Sequence, residues 1–283
     1  YANRFPIGQK TVLENASAEK MKALYGKWYV PDRTKIVVVG PVDPAAIERE
    51  IARKFGSWGG SGAALGKLKT CSFDPARPAQ AAIFAHPEIE EQLQIGQLVP
   101  DRKRPDTIES ALLILKMQLA WGIISDRLSR RSRAEDIPLL GASPNFEAGF
   151  CEKYARVGFA IGAKDGAWHT VLPIVEQAVL QAAQHAFSRT ELDEQIKRLD
   201  AGYANAVKSE PTTASGAFVG ELAGNENDII SSAAYRQLAW RQLKPFVTPE
   251  SIRRELSQWY GQLERPQIYL STRKGDGVDS EKL

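Results

Sequence analysis

The chain has 283 residues, 43% of them hydrophobic and 25% charged, the make-up of a folded globular protein and not of a disordered one. Its 37 basic and 34 acidic residues leave a net charge of +3, too close to balance to mark electrostatic capture of nucleic acid, and no polybasic tail changes that. Two cysteines, Cys71 and Cys151, stand far apart with no His or Cys at ligand spacing; they read as small, partly buried residues, with one disulfide between them as the open alternative.

Ser17 precedes Met21, Leu24, Tyr25 and Trp28, which recur at the 3–4 spacing of an amphipathic helix. Ser17 is its expected N-cap, Glu19 and Lys20 its first turn, and Pro31 its stop. Lys35 to Gly40 is a continuous β-branched run, too short for a helix and apolar on both faces, which predicts a buried strand. Asp43 as N-cap and Pro44 at the first helical position then open a helix with Ile47, Ile51 and Phe55 on one face. Residues 56–66 hold five glycines and two serines, a flexible connection. Gly66-Lys67 lacks the pattern of a phosphate-binding loop, because Ser61 stands five positions before Gly66 and Leu68 follows the lysine. Asp74, Pro75 and Pro78 extend the linker and place a domain boundary within 66–80.

Beyond the linker, residues 81–86 and 92–99 are strand-like runs around Pro87-Glu88, read as a hairpin. Thr107 to about Arg131 reads as a long helix whose stripe is Ile108, Leu112, Leu115, Leu119 and Ile123. Its apolar stretch from Ala111 to Ile124 is broken by Lys116 and Gln118 and is shorter than the roughly 18–20 residues that cross a bilayer, so a core helix and no membrane-spanning segment are expected. Tyr1 opens with neither the charged n-region nor the apolar h-region of a signal peptide. Residues 145–154 and 155–163 alternate as half-buried antiparallel strands do. Helices are expected over 168–186, over 190–208, within 213–243 and from Thr248-Pro249-Glu250, before a closing strand from Gln267 to Thr272. This order gives an α+β fold with helices packed on one face of a mainly antiparallel sheet.

Chemistry-bearing patterns are few. A zinc hydrolase needs imidazoles and a carboxylate converging on one ion, and His86, His169 and His185 each lack a second His within five residues. His86-Pro87-Glu88 matches half of a deaminase site, yet no P-C-x-x-C follows. No G-x-S-x-G elbow is present for a serine hydrolase. Neither a catalytic residue nor a metal ligand is therefore assigned in this chain. The densest charge cluster is Arg127, Arg130, Arg131 and Arg133 at the end of the long helix. Such cations complement the partial negative charge of a helix C-terminus, or, through Arg127, Arg130 and Arg131, they bind peptide carboxylates. Trp28, Tyr29, Trp121 and Trp168 lie at helical or element-end spacing and read as core or groove wall.

RFPIGQ at the start, then YGKWYVP, KIVVVGPVD and KFGSW, in that order, resemble the M16 zinc peptidase family of pitrilysin and insulin-degrading enzyme where its first α/β domain completes its sheet. In that family the zinc-binding H-x-x-E-H helix lies N-terminal of this stretch, and this sequence does not contain that motif. SDRLSRRSRAEDIPLLGA, residues 125–142, is similar to the family segment in which S-R-L is followed by an L-R-E and a Tyr that grip substrate. Here Ser132, Arg133 and Ala134, then Leu139 and Leu140, stand in those places, as in the first half of large two-half members. AWHTVLPIVEQAVLQAAQHAFSRTELDEQI and VTPESI also look like the large bacterial members.

The resemblance implies that residues 1–70 are the C-terminal part of a zinc-type domain and 71–79 a linker. Residues 80–275 are then a complete M16-peptidase-like two-layer domain without metal, and 276–283 a tail. It implies a longer parent, a zinc metalloendopeptidase whose zinc lies outside this chain, with a peptide substrate and either its own second half or a second M16-like subunit as partner. The alternative is a non-catalytic M16-like subunit that binds peptides or a partner. The large bacterial members point to the periplasm, with the cytoplasm as the other compartment. On this view residues 1–70 depend on contacts from elsewhere, whereas 80–275 hold their own core.

Overall fold

The computed structural model describes residues 8–60, 73–74, 76–101, 104–150, 153–224, 230–261 and 263–273. Cys71, Cys151 and the Gly66-Lys67 pair lie outside them. The chain divides into two compact units, Tyr1–Lys69 with Thr212–Ile230, and Thr70–Pro211 with Ser231–Leu283.

The first unit is helical. It comprises α1 (Lys10–Glu14), α2 (Ala18–Trp28), α3 (Pro44–Phe55) and, from the later segment, α7 (Ser215–Gly224). The expected caps form: Ser17 Oγ accepts the Lys20 N–H at 3.3 Å, and Asp43 Oδ1 accepts that of Ala45 at 3.1 Å. Tyr25 and Tyr29 stack at 4.4 Å between centroids, and Arg33 lies over the Trp28 ring at 4.5 Å. The Lys35 ammonium donates to the Leu222 carbonyl oxygen at 2.6 Å and so ties this stretch to α7. Yet none of α1, α2, α3 or α7 has a buried residue.

Lys35 to Gly40 is not the buried strand its composition predicts. It runs without a ladder partner among the described residues, with Ile36 43% and Val38 48% exposed. β-Branched composition favours extended backbone, but a strand exists only where a neighbour takes up its N–H and C=O groups.

The second unit is the α+β layer pair. Its strands are β1 (Gln80–Ala85), β2 (Gln92–Pro100), β3 (Leu139–Phe150), β4 (Tyr154–Ala163) and β5 (Gln267–Thr272), in the order β1-β5-β2-β4-β3. β1 runs parallel to β5, and every other pairing is antiparallel. The expected hairpin of the first two strands does not form, because β5, almost the last element in sequence, inserts between them. β3 starts at Leu139, ahead of the expected 145.

The helices of this unit are α4 (Ile108–Glu135), α5 (Trp168–Gln184), α6 (Arg189–Ser209), α8 (Ala233–Leu243) and α9 (Pro249–Tyr260). α9 begins where Thr248 and Pro249 place it, with Thr248 Oγ1 accepting the Ser251 N–H at 3.1 Å. The core lies between α4, α5 and α9 and one sheet face, which presents Leu93, Ile95, Val157, Phe159, Ile161 and Leu270. α4 is long and apolar enough to cross a membrane by length and composition, and it buries nine residues between Leu113 and Leu128 in this core. Ile108, assigned to its stripe, is 65% exposed, because the first turn starts before the packed layer, while Leu115, Leu119 and Ile123 are buried.

A buried carboxylate joins sheet and helices. Glu91, 1% exposed, accepts the backbone N–H groups of Gly166 at 2.7 Å and Trp168 at 2.8 Å and the Thr272 hydroxyl at 3.0 Å. It thereby satisfies donors at the start of α5, whose own N-cap, Ala167, has no side-chain acceptor.

Candidate functional site: an open sheet face

Because side chains alternate along each strand and directly paired residues share a face, the ladders fix what the other face of the sheet displays. One row crosses Phe84, Ser271, Gln92, Gly162 and Gly141; the next Ala82, Tyr269, Gln94, Ala160 and Ser143. A third crosses Gln80, Gln267, Gly96, Gly158 and Asn145, and a fourth Leu98, Arg156 and Glu147. No helix among the described residues of the unit covers this face, and Phe84 and Tyr269 stand 50% and 42% exposed on it.

The floor is low in the middle, where Gly96, Gly158, Ala160 and Gly162 carry little or no side chain. Gly158 must be glycine here: a Cβ at this position would lie 2.0 Å from the Ile95 carbonyl oxygen of the neighbouring strand. On the core side the Gly158 carbonyl accepts the Tyr260 hydroxyl at 2.9 Å, which fixes this part of β4 against α9. Around the floor stand amide side chains and aromatic rings. The result is two open cavities, of about 760 Å³ beside Gln80, Gln94, Asn145, Gln267 and Tyr269 and of about 710 Å³ beside Phe84, Gln92, Ser143 and Ser271. Side-chain amides both donate and accept, as a peptide backbone does, so the lining can bind polypeptide without selecting a sequence.

The arginine cluster lies at the end of α4. Arg127 forms a two-pronged pair with Glu191, Nε to Oε1 at 2.6 Å and Nη2 to Oε2 at 2.8 Å, and lies over the Phe187 ring at 5.4 Å. Glu191 is also the closing residue of a capping box, the third residue of α6, accepting the Ser188 N–H at 3.0 Å, so this pair joins the end of α4 to the start of α6. The Arg127 fork, with the Ser188 bonds beside it, holds the Glu191 carboxyl at about 2, well below the usual carboxylate range. Arg130 approaches Glu191 only at 3.9 Å, and Arg131 pairs with Glu135 one turn on, at 3.1 Å. Arg133 lines a smaller cavity of about 200 Å³ with Ser132 and Leu140.

Zinc, implied for the parent by the resemblance, finds no fitting donor set in these residues. His169 and His185 sit at opposite ends of α5, about 24 Å apart along a 1.5 Å rise, and His86 stacks with Phe84 while its Nδ1 accepts the Glu88 N–H. Among the described residues no group of three or more His, Cys, Asp and Glu is placed to hold an ion. Of the aromatic residues singled out in the sequence, Trp121 is in the core and Trp28 and Tyr29 are 41% and 62% exposed. Neither the open face nor Glu91 stands out in the sequence; the small and amide residues of the face, Gln92, Gln94 and Gly96 with Gly158, Ala160 and Gly162, alternate along their strands but do not say what they face.

Comparison with known proteins agrees with this architecture. The family model described as the peptidase M16 inactive domain matches residues 15–199. Protein YhjJ of Salmonella typhimurium is 31% identical over 78 residues, 28% of this chain and 15% of that protein. The first half of the periplasmic protease PqqL from Escherichia coli superposes with a TM-score of 0.79 at 16% identity, over 96% of this chain and 58% of that one. A predicted insulinase family protease from Yersinia pestis does so with a TM-score of 0.75 at 16% identity, over 95% and 58%. At such identities the superpositions establish the fold, and the chain spans 58% of those solved chains and 15% of YhjJ.

Proposed function

Since the match over residues 15–199 makes this chain a member of the peptidase M16 inactive-domain family, we propose that its second unit forms one wall of a peptide chamber in a larger M16 peptidase. The observation that carries this reading is the open sheet face, with a low Gly and Ala floor, a rim of amides and two adjoining cavities on a five-stranded sheet. Its contribution to catalysis is confinement and orientation of the substrate, which needs no titrating group. The parent is a zinc-dependent metalloendopeptidase acting on peptides or unfolded polypeptides, with its metal held by residues outside this chain. Its second half, or a second M16-like subunit, closes the chamber and covers exposed apolar residues of the first unit such as Leu13, Met21, Leu24 and Tyr25, all more than half exposed. Within the arginine cluster, Arg130 has the longest internal contact and is the member able to exchange it for a peptide carboxylate.

Site-directed photocrosslinking tests the assignment. A benzophenone-bearing unfolded peptide should label Gln92, Gln94 and Tyr269 on the open face in preference to the outer surfaces of α5 and α6. Labelling confined to the helices, or none above that of a folded control protein, would remove the reading. A non-catalytic M16-like subunit would give the same labelling, and zinc analysis of the full-length parent separates the two.

A further inference from the structure

The larger cavity on the open face is positively charged. Arg77 and Arg156 line it, and no Asp or Glu does among the described residues. One side of the Arg77 guanidinium is held, Nη2 donating to Gln267 Oε1, but its Nε is buried and has no hydrogen-bond acceptor among the described residues. A buried N–H of a charged group without an acceptor is a site where an acceptor is missing. Arg156 stands in the next row of the sheet, packed over the Phe150 ring at 4.3 Å. Its ion pair among the described residues, to Glu147 across the strands, is long at 3.6 Å, with the two side chains 40% and 55% exposed. Such a pair is weak in water and readily replaced. Two guanidinium groups lining one cavity, next to Gln80, Gln94 and Asn145, match a planar carboxylate followed by backbone amides.

We infer that this cavity binds the carboxylate of a short extended peptide, with Arg77 Nε and the Arg156 fork as its donors and the amide rim holding the adjoining backbone. This deepens the peptide-wall assignment and rests on it. The carboxylate is either the free C-terminus or an acidic side chain, and it displaces Glu147 from Arg156.

The test is fluorescence anisotropy on the whole chain with a fluorescein-labelled heptapeptide of Ala, Gln and Leu, made as the free acid, as the C-terminal amide, and as the amide with one internal Glu. The free acid should bind roughly tenfold tighter than the plain amide, and the Arg77→Met/Arg156→Met double variant should reduce that ratio to about one while still binding the amide. Arg77→Lys, which keeps the charge and loses the fork, should retain only part of the preference. The Glu peptide binding like the free acid assigns the site to acidic side chains; its binding like the plain amide assigns it to C-termini. Equal binding of all three overturns the carboxylate inference and leaves the peptide wall standing, whereas no binding of any overturns the wall itself. Unchanged circular dichroism and melting of the double variant show that a lost preference is not lost folding.

Discussion

Helices α3 and α9 are near twins as sequences. Each has twelve residues, a proline at its first position, a side-chain N-cap from the residue before it, and apolar residues along one face. α9 buries Ile252, Leu256, Trp259 and Tyr260, while α3 buries nothing. The difference lies in what each helix meets. α9 sits against α4, α5 and the sheet, whereas no strand of the first unit is formed among the described residues, and its one candidate, 35–40, runs exposed. Amphipathic periodicity says which face a helix offers; the free energy comes from the surface that receives it.

Truncating one residue in each twin should expose that contrast most strongly. Leu256→Ala removes a fully buried side chain from the packed layer and should cost about 2–5 kcal/mol, read from urea denaturation of the whole chain. Ile51→Ala, at the matching apolar face of α3, should cost less than about 1 kcal/mol. Equal losses would mean that the first unit is as well packed as the second, and the comparison would fail. Native-state hydrogen exchange gives the same contrast locally, with slow amides in α9 and fast ones in α3 and throughout 35–40.

The second contrast is polar. Both units use exposed side-chain caps, but the second adds a carboxylate buried at the junction of β2, β5 and α5. Glu91→Ala leaves the Gly166 and Trp168 N–H groups and the Thr272 hydroxyl without their acceptor, at an expected cost of about 2–4 kcal/mol. Glu91→Gln, which keeps one carbonyl oxygen, should recover part of it. A loss from Glu91→Ala no larger than that from Ser17→Ala, an exposed cap of the first unit, would show that burial adds nothing to the value of this cap.

Most helices were legible in the sequence because their signals are local: Ser17, Asp43 and Thr248 cap where their side-chain chemistry says they should, and the α+β order follows from the succession of periods. Partners were not legible. The strand-like runs 81–86 and 92–99 say that two strands exist, but β5, which separates them, lies nearly 170 residues further along, so the hairpin they suggest does not form. The run 35–40 has strand composition, and composition cannot supply a ladder. α7 carries no mark of belonging with the first unit. The open face was invisible for the same reason, since Ala82, Gln94, Ala160 and Tyr269 become neighbours only once four strands are in register. Charge density did point to Arg127, but its partner Glu191 lies 64 residues away and could not be named from sequence.

The smallest expected effect concerns that pair and sets a partly buried ion pair of the second unit against an exposed one of the first. Glu191 titrates at about 2 in the folded chain, below the ordinary 4.5, because Arg127 binds its charged form. A depressed carboxyl contributes stability that is fully present above about pH 4.5 and is lost as pH falls from there through about 2. Because both side chains retain some contact with water, 34% and 19% exposed, the full shift overstates the contribution, and about 1–2 kcal/mol is expected. Glu191→Gln should therefore be less stable than the native chain at pH 7, and the gap should close on acidification from pH 4.5 towards 2.5. In the first unit, Glu50 is also lowered by its bond to Arg53, but that pair lies on the surface, and Glu50→Gln should leave the denaturation midpoint nearly unchanged across the same pH range. A gap for Glu191→Gln that stays constant down to pH 2.5 would show that its cost does not come from the carboxylate charge that Arg127 binds.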